Sequence, residues 1–119
     1  RRGARGEEGR ILVPGTAGEH VVDVADIDWI EAQDDYVILH AGRRHHRLRE
    51  PLAALEARLD AARFVRTHRS TLVRVDRVTE LRRAGRGEAV LVLRDGTTLP
   101  VSRRRVAHVR ARLRRSIDA

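Results

Sequence analysis

Apolar positions along this chain recur mostly at strand spacing, in short runs broken by Gly, Pro and Asp. Arg10–Val13 and His20–Val24 are brief β-type runs, and Pro14-Gly15-Thr16-Ala17-Gly18 between them has hairpin or loop chemistry. Val24-Ala25-Asp26 is expected to form one helical turn. Ile27–Gln33 then alternates imperfectly, with Ile27, Trp29 and Ile30 as inward candidates. Asp34-Asp35 interrupts and Tyr36–His40 resumes as a strand. Gly42-Arg43-Arg44 turns the chain, and His45–Arg49 returns with Leu48 toward the core. Further on, Phe64–Arg66, Arg77–Arg82, Ala89–Leu93 and Thr97–Val101 read as strands, with turns at Ala84–Gly87 and Asp95-Gly96.

Two stretches switch to helical spacing. Pro51–Leu59 places Leu52, Leu55 and Leu59 on one face, with Pro51 suited to the first helical position. Arg103 to about Arg115 follows Ser102 as a candidate N-cap, and Val106, Val109, Leu113 and Ile117 form its apolar stripe. Roughly eight to ten short strands, one central helix and one terminal helix predict a mainly β domain.

Composition narrows the class. At 119 residues the length suits one domain, and 41% hydrophobic residues support a core. That core is aliphatic, because Phe64, Trp29 and Tyr36 are the only aromatics. Residues 1–9 are small and charged, with nothing to bury, and read as a linker or a disordered terminus preceding a domain over 10–119. The chain does not begin with Met, which leads to the expectation of a piece of a longer protein. With no Cys and no apolar run of membrane-spanning length, a reducing cytoplasm is the expected compartment.

The net charge of +8 favours a polyanionic partner, and its distribution is uneven. Residues 11–42 carry −7 with no Arg, whereas 43–74 carry +6 and 75–119 carry +7. All 25 basic residues are Arg, which fits phosphate and guanine recognition and equally fits a coding bias from Lys to Arg.

Enzyme chemistry finds little support. The acids are scattered, Ser70 beside His68 lacks a third orienting group, and no Gly-rich phosphate loop is present. No enzymatic activity and no cofactor are expected. His40, His45 and His46 lie on the arms of one hairpin, but without Cys they read as surface polar residues and not as a metal site.

Nucleic-acid binding is the remaining chemistry, and three turns offer groups for it. They are the turn around Asp34-Asp35-Tyr36, the segment Arg66-Thr67-His68-Arg69-Ser70-Thr71, and Ser102-Arg103-Arg104-Arg105 at the mouth of the terminal helix. Within a broader polar set that extends to Arg74, Arg69 and Arg103 are the candidates to reach base edges, since Arg can bond guanine bidentately. Ser70, Thr71 and Ser102 suit phosphate, helped by a helix N-terminus.

These segments resemble the LytTR domain, the DNA-binding output domain of LytR/AlgR/AgrA-type bacterial response regulators. The matching pieces are Asp26-Ile27-Asp28-Trp29-Ile30-Glu31-Ala32, Asp35-Tyr36-Val37, Leu48-Arg49 with Leu52 and Leu55, Phe64-Val65-Arg66-Thr67-His68-Arg69-Ser70, Gly96 with Leu99, and Pro100-Val101-Ser102-Arg103. They run in the family's order and cover roughly residues 10–115. The resemblance implies an elongated domain of small antiparallel β-sheets without a helix-turn-helix, whose loops enter successive major grooves of double-stranded DNA. It places contacts in the 33–36 turn, at His68 and Arg69, and at Arg103.

The expected contact set is therefore Gln33, Tyr36, Arg66, His68, Arg69, Ser70, Ser102, Arg103 and Arg104, with Asp34 and Asp35 shaping their turn. The resemblance also implies a receiver domain, or alternatively a membrane-embedded sensor, preceding this chain. Because one small module offers few base contacts, paired DNA sites with two copies of the chain, as a homodimer on DNA, are expected. A generic RNA- or polyanion-binding module, and a protein-interaction domain with no nucleic-acid role, are the alternative readings.

Overall fold

The computed structural model describes residues 8–118. The chain divides after Asp60 into two compact units. The first holds two antiparallel elements. Strands β1 (Arg10–Pro14) and β2 (Glu19–Asp23) form a hairpin in which Ile11 lies opposite Val22 and Leu12 opposite Val21. Alternation buries Ile11, Val13 and Val22 and leaves Leu12 and Val21 exposed on the other face. The expected helical turn at Val24–Asp26 is a 3₁₀ turn, pinned by the Val24 N–H donating to the Gly9 carbonyl at 3.0 Å. Residues 1–7 of the expected linker lie outside the described residues.

Strands β3 (Trp29–Gln33), β4 (Tyr36–Ala41) and β5 (Arg44–Leu48) form an antiparallel meander. Ile27, Ile30, Val37 and Leu39 are fully buried. Trp29 is only half-buried, and its ring stacks on His40 at 3.9 Å between centroids. Leu48 is likewise half-buried. Helix α1 (Leu52–Arg58) buries Leu52 and Leu55 as its spacing predicts. Pro51 stands one position earlier than expected, as the N-cap with an extended ψ of 145°, and Leu59 is already extended at the C-cap.

The second unit begins with a hairpin of β6 (Phe64–His68) and β7 (Thr71–Arg74). A meander of β8 (Val78–Gly85), β9 (Glu88–Leu93) and β10 (Thr98–Val101) follows. A 3₁₀ turn over Arg103–Arg105 then leads into helix α2 (Val106–Asp118). Phe64, Val65, Leu72, Val73, Leu91, Leu93, Leu99, Val101 and Val109 make its core. Burying an aliphatic side chain of this kind is worth about 1.5–3 kcal/mol.

Four expectations need correcting. Val106 and Leu113 of the expected helix stripe are only half-buried, because with Leu81 they line a groove of about 710 Å³ between β8–β9 and α2. Val109 alone of the helix stripe is fully buried, and the Ile117 side chain lies outside the described residues. Strand β8 runs on to Gly85, so the turn is the two-residue Arg86–Gly87, with positive φ at both. Ser102 makes no side-chain cap; its Oγ instead accepts from Arg105 Nη1 at 3.3 Å.

The fourth correction concerns the polar set. Thr67, Thr71 and Arg74 are buried, not presented to solvent. All four residues of β7 are buried, so its polar side chains have no outward face to occupy. The Arg74 guanidinium lies over the Phe64 ring, 4.6 Å from its centroid, and serves the core as a packed cation.

Candidate nucleic-acid interface

In the second unit the geometry starts from a bulge. Arg66 pairs with Leu72 and His68 with Thr71, so Thr67 is one extra residue in β6. A bulge leaves its residue outside the ladder and bends the strand. Here the Thr67 carbonyl is turned to accept the Ser102 backbone N–H at 2.9 Å. That bond ties the end of β10 to β6 and brings Ser102, Arg103 and Arg104 beside the β6–β7 turn. Ser102 is half-buried, while Arg103 and Arg104 are exposed.

The turn itself is Arg69–Ser70, and neither residue has positive φ. Two-residue hairpin turns without positive φ tend to splay their strands. Arg66 opposes this: its Nε donates to the His68 carbonyl at 3.0 Å and its Nη2 to the Arg69 carbonyl at 2.7 Å. One planar guanidinium thus clamps the two carbonyls that precede and form the turn. The Arg69 side chain is left exposed at the tip.

His68 is oriented from behind. The Ser70 backbone N–H donates to His68 Nδ1 at 3.2 Å, and Ser70 Oγ lies 3.0 Å from the same nitrogen. A nitrogen that accepts an N–H carries no proton in the neutral ring, so the proton sits on Nε2. Nε2 is then the ring's donor, a group that suits guanine N7 or O6, thymine O4 or a phosphate oxygen.

The first unit carries the 33–36 turn. Gln33 pairs with Tyr36 across Asp34–Asp35, and Asp34 adopts φ 56, a left-handed conformation that Asp tolerates better than most residues. Asp34 therefore shapes the turn. Gln33 is exposed beside it. Tyr36 is half-buried, with the Arg47 guanidinium 4.2 Å from its ring centroid and Arg49 at 6.0 Å. Arg49 also approaches Asp35 at 3.9 Å. Sequence reasoning missed Arg47 and Arg49, although the hairpin register carries the signal. Val37 lies opposite Leu48, so Tyr36 shares a sheet face with the Arg residues on either side of Leu48.

The site so described has close kin. Residues 18–114 match the family model described as the LytTr DNA-binding domain. Over 91% of its length the chain is 36% identical to the positive alginate biosynthesis regulatory protein of Pseudomonas aeruginosa, and it covers 44% of that protein. It is 35% identical over 77% of its length to the CO-responsive transcriptional regulator RcoM of Rhodospirillum rubrum, covering 39% of it. The chain thus spans less than half the length of these curated relatives. The fold superposes with a TM-score of 0.80 on the LytTr DNA-binding domain of a methyl-accepting/DNA response regulator from Bacillus cereus. That match is 23% identical and covers 89% of this chain and 97% of the other.

Proposed function

Because the chain belongs to the LytTr DNA-binding domain family, we propose that it reads a specific double-stranded DNA sequence through its hairpin turns, as the output domain of a bacterial transcriptional regulator. The observation that carries this reading is the Ser102 N–H to Thr67 carbonyl bond, which joins two basic turns into one edge. On that edge Arg69, His68 and Arg103 reach bases, and Ser70, Ser102 and Arg104 hold phosphates. Arg66 contributes by fixing the turn. Gln33 and Tyr36 form the contact of the first unit, with Arg47 held over the Tyr36 ring.

Electrostatics supports the assignment. The 3₁₀ turn ahead of α2 consists of three Arg and has no acid in its first turn. Cations at the positive end of a helix are unfavourable, and a phosphate there relieves the repulsion. One module of this size offers few base contacts, so two copies on paired sites complete the recognition. A receiver domain in the same protein, in the cytoplasm of a bacterium, belongs to the same proposal. Among the described residues no helix is long and apolar enough to cross a membrane.

Selection of bound duplexes from a random pool, followed by titration of Arg69→Ala, tests the reading. The variant is expected to lose about 1–3 kcal/mol on the selected duplex and to lose little on random DNA. Equal weakening on every sequence would instead point to a generic polyanion binder.

A further inference from the structure

The Arg86–Gly87 turn of the β8–β9 hairpin contains a contact that neither the sequence nor the kinship assigns. Gly87 has φ +77, and a Cβ built on it would lie 2.7 Å from Arg103 Cδ and 2.9 Å from Cγ. Real Cβ atoms essentially never approach that closely. The aliphatic stem of Arg103 therefore lies directly on the bare Cα of Gly87. Arg side chains commonly lay their methylene stems along apolar surface and project the charged head beyond it. At Arg103 the surface is backbone, and only glycine leaves room for it.

We propose that Gly87 is a positioning residue for DNA recognition. By lacking a side chain it seats the stem of Arg103 and fixes the direction in which the guanidinium leaves the protein. An exposed Arg free to sample all its rotamers loses conformational entropy when it engages a base, and a held stem reduces that loss. The hairpin tip and Arg103 thus act as a unit, the β8–β9 tip serving through Arg103 and not through a base contact of its own. The inference rests on the assignment of Arg103 as a DNA contact.

The fold supplies its own control. Gly85 sits two residues away with φ +88, yet a Cβ there meets nothing within 4 Å. Gly85→Ala and Gly87→Ala therefore introduce comparable backbone strain, but only Gly87→Ala displaces Arg103. The clash is with a flexible side chain that can swing aside, so the Gly87 variant is expected to fold.

The experiment measures affinity for the selected duplex, thermal melting and base preference for Gly85→Ala, Gly87→Ala, Arg103→Ala and the Gly87→Ala/Arg103→Ala double variant. Both glycine variants should melt at similarly lowered temperatures. Gly87→Ala should weaken specific binding about fivefold or more while Gly85→Ala stays within about twofold, and adding Gly87→Ala to Arg103→Ala should change little. Gly87→Ala should also relax the preference at the same base position that Arg103→Ala relaxes, which a merely structural role would not do. If Arg103→Ala leaves affinity unchanged, the assignment of Arg103 fails and takes this inference with it. If Arg103→Ala weakens binding but Gly87→Ala matches Gly85→Ala, or keeps its full effect without Arg103, the Gly87 inference alone is overturned.

Discussion

Arg66 separates two ways in which an arginine serves DNA binding. Its guanidinium donates to the carbonyls of His68 and Arg69, at 3.0 and 2.7 Å, and so holds the turn that carries Arg69. Hydrogen bonds from charged donors contribute about 1.5–3 kcal/mol each when protected. Arg66 is half-buried and its outer bond is exposed, so solvent screening reduces each to about 1 kcal/mol. Removing both in Arg66→Gln should shift the turn toward splayed conformations by about 2 kcal/mol, a ceiling of about 30-fold in apparent affinity. The loss should fall mainly on the selected duplex and be small on random DNA, because the turn that splays carries the base-reaching Arg69 and His68. The slope of log affinity against log salt, followed by fluorescence anisotropy, should stay unchanged. A direct phosphate contact would lower that slope by about 0.9. A lowered slope, or an unchanged affinity, would refute the clamp.

Two further outcomes follow from buried groups. Thr67 is fully buried, and its Oγ1 has no hydrogen-bond partner among the described residues. Thr67→Val should therefore stabilise the fold by about 1 kcal/mol in denaturant unfolding, and a destabilised variant would reveal a partner for the hydroxyl. In the first unit, burial holds the pKa of His40 below its ordinary 6.5, against the opposing pull of Glu31, and burial followed by His20, Arg44 and His45 lowers His46. Both groups bind protons more readily when unfolded, so their stabilising effect is complete above about 6.5 and is lost as pH falls through it toward the lower folded values. Melting temperature should drop between about pH 7.5 and about pH 5.5. The emission of Trp29, stacked on His40, should titrate with a midpoint below 6.5; a midpoint at or above that value would contradict the burial argument.

Much of this fold was legible because the chain alternates cleanly where one face is buried. Ile11 and Val13, and the leucines of α1, behave as their spacing requires. Reading failed where a polar residue lies inside. Arg74, Thr67 and Thr71 have the composition of a binding loop, yet β7 is enclosed on both faces. Local pattern cannot distinguish an arginine packed on Phe64 from one in water, because the difference is made by elements distant in sequence. Ser102 departs as well: its spacing suggests a cap, but its Oγ accepts from the Arg105 guanidinium instead, while its backbone N–H reaches the distant Thr67 carbonyl. The contact between Gly87 and Arg103 was invisible for a related reason, since two loops sixteen residues apart approach only after β9 and β10 have paired.

Net charge is therefore a poor guide to which arginines matter. Arg74 fills the core, Arg66 clamps a turn, Arg47 covers a tyrosine, and Arg58, Arg77 and Arg82 form ion pairs with Glu50, Asp76 and Glu80. Such arginines still add to the long-range attraction of a polyanion, which depends on charge and not on orientation. Discrimination between sequences depends on orientation, because a bidentate contact to guanine fails when the guanidinium is tilted or displaced. On the proposed reading, the residues that discriminate are those at turn tips held from behind: Arg69 above the Arg66 clamp, His68 with Nδ1 held by Ser70, and Arg103 lying on Gly87. A recognition helix obtains this rigidity from its own hydrogen-bond ladder. Here isolated turns obtain it one side chain at a time, from a bulge, a clamp and a glycine.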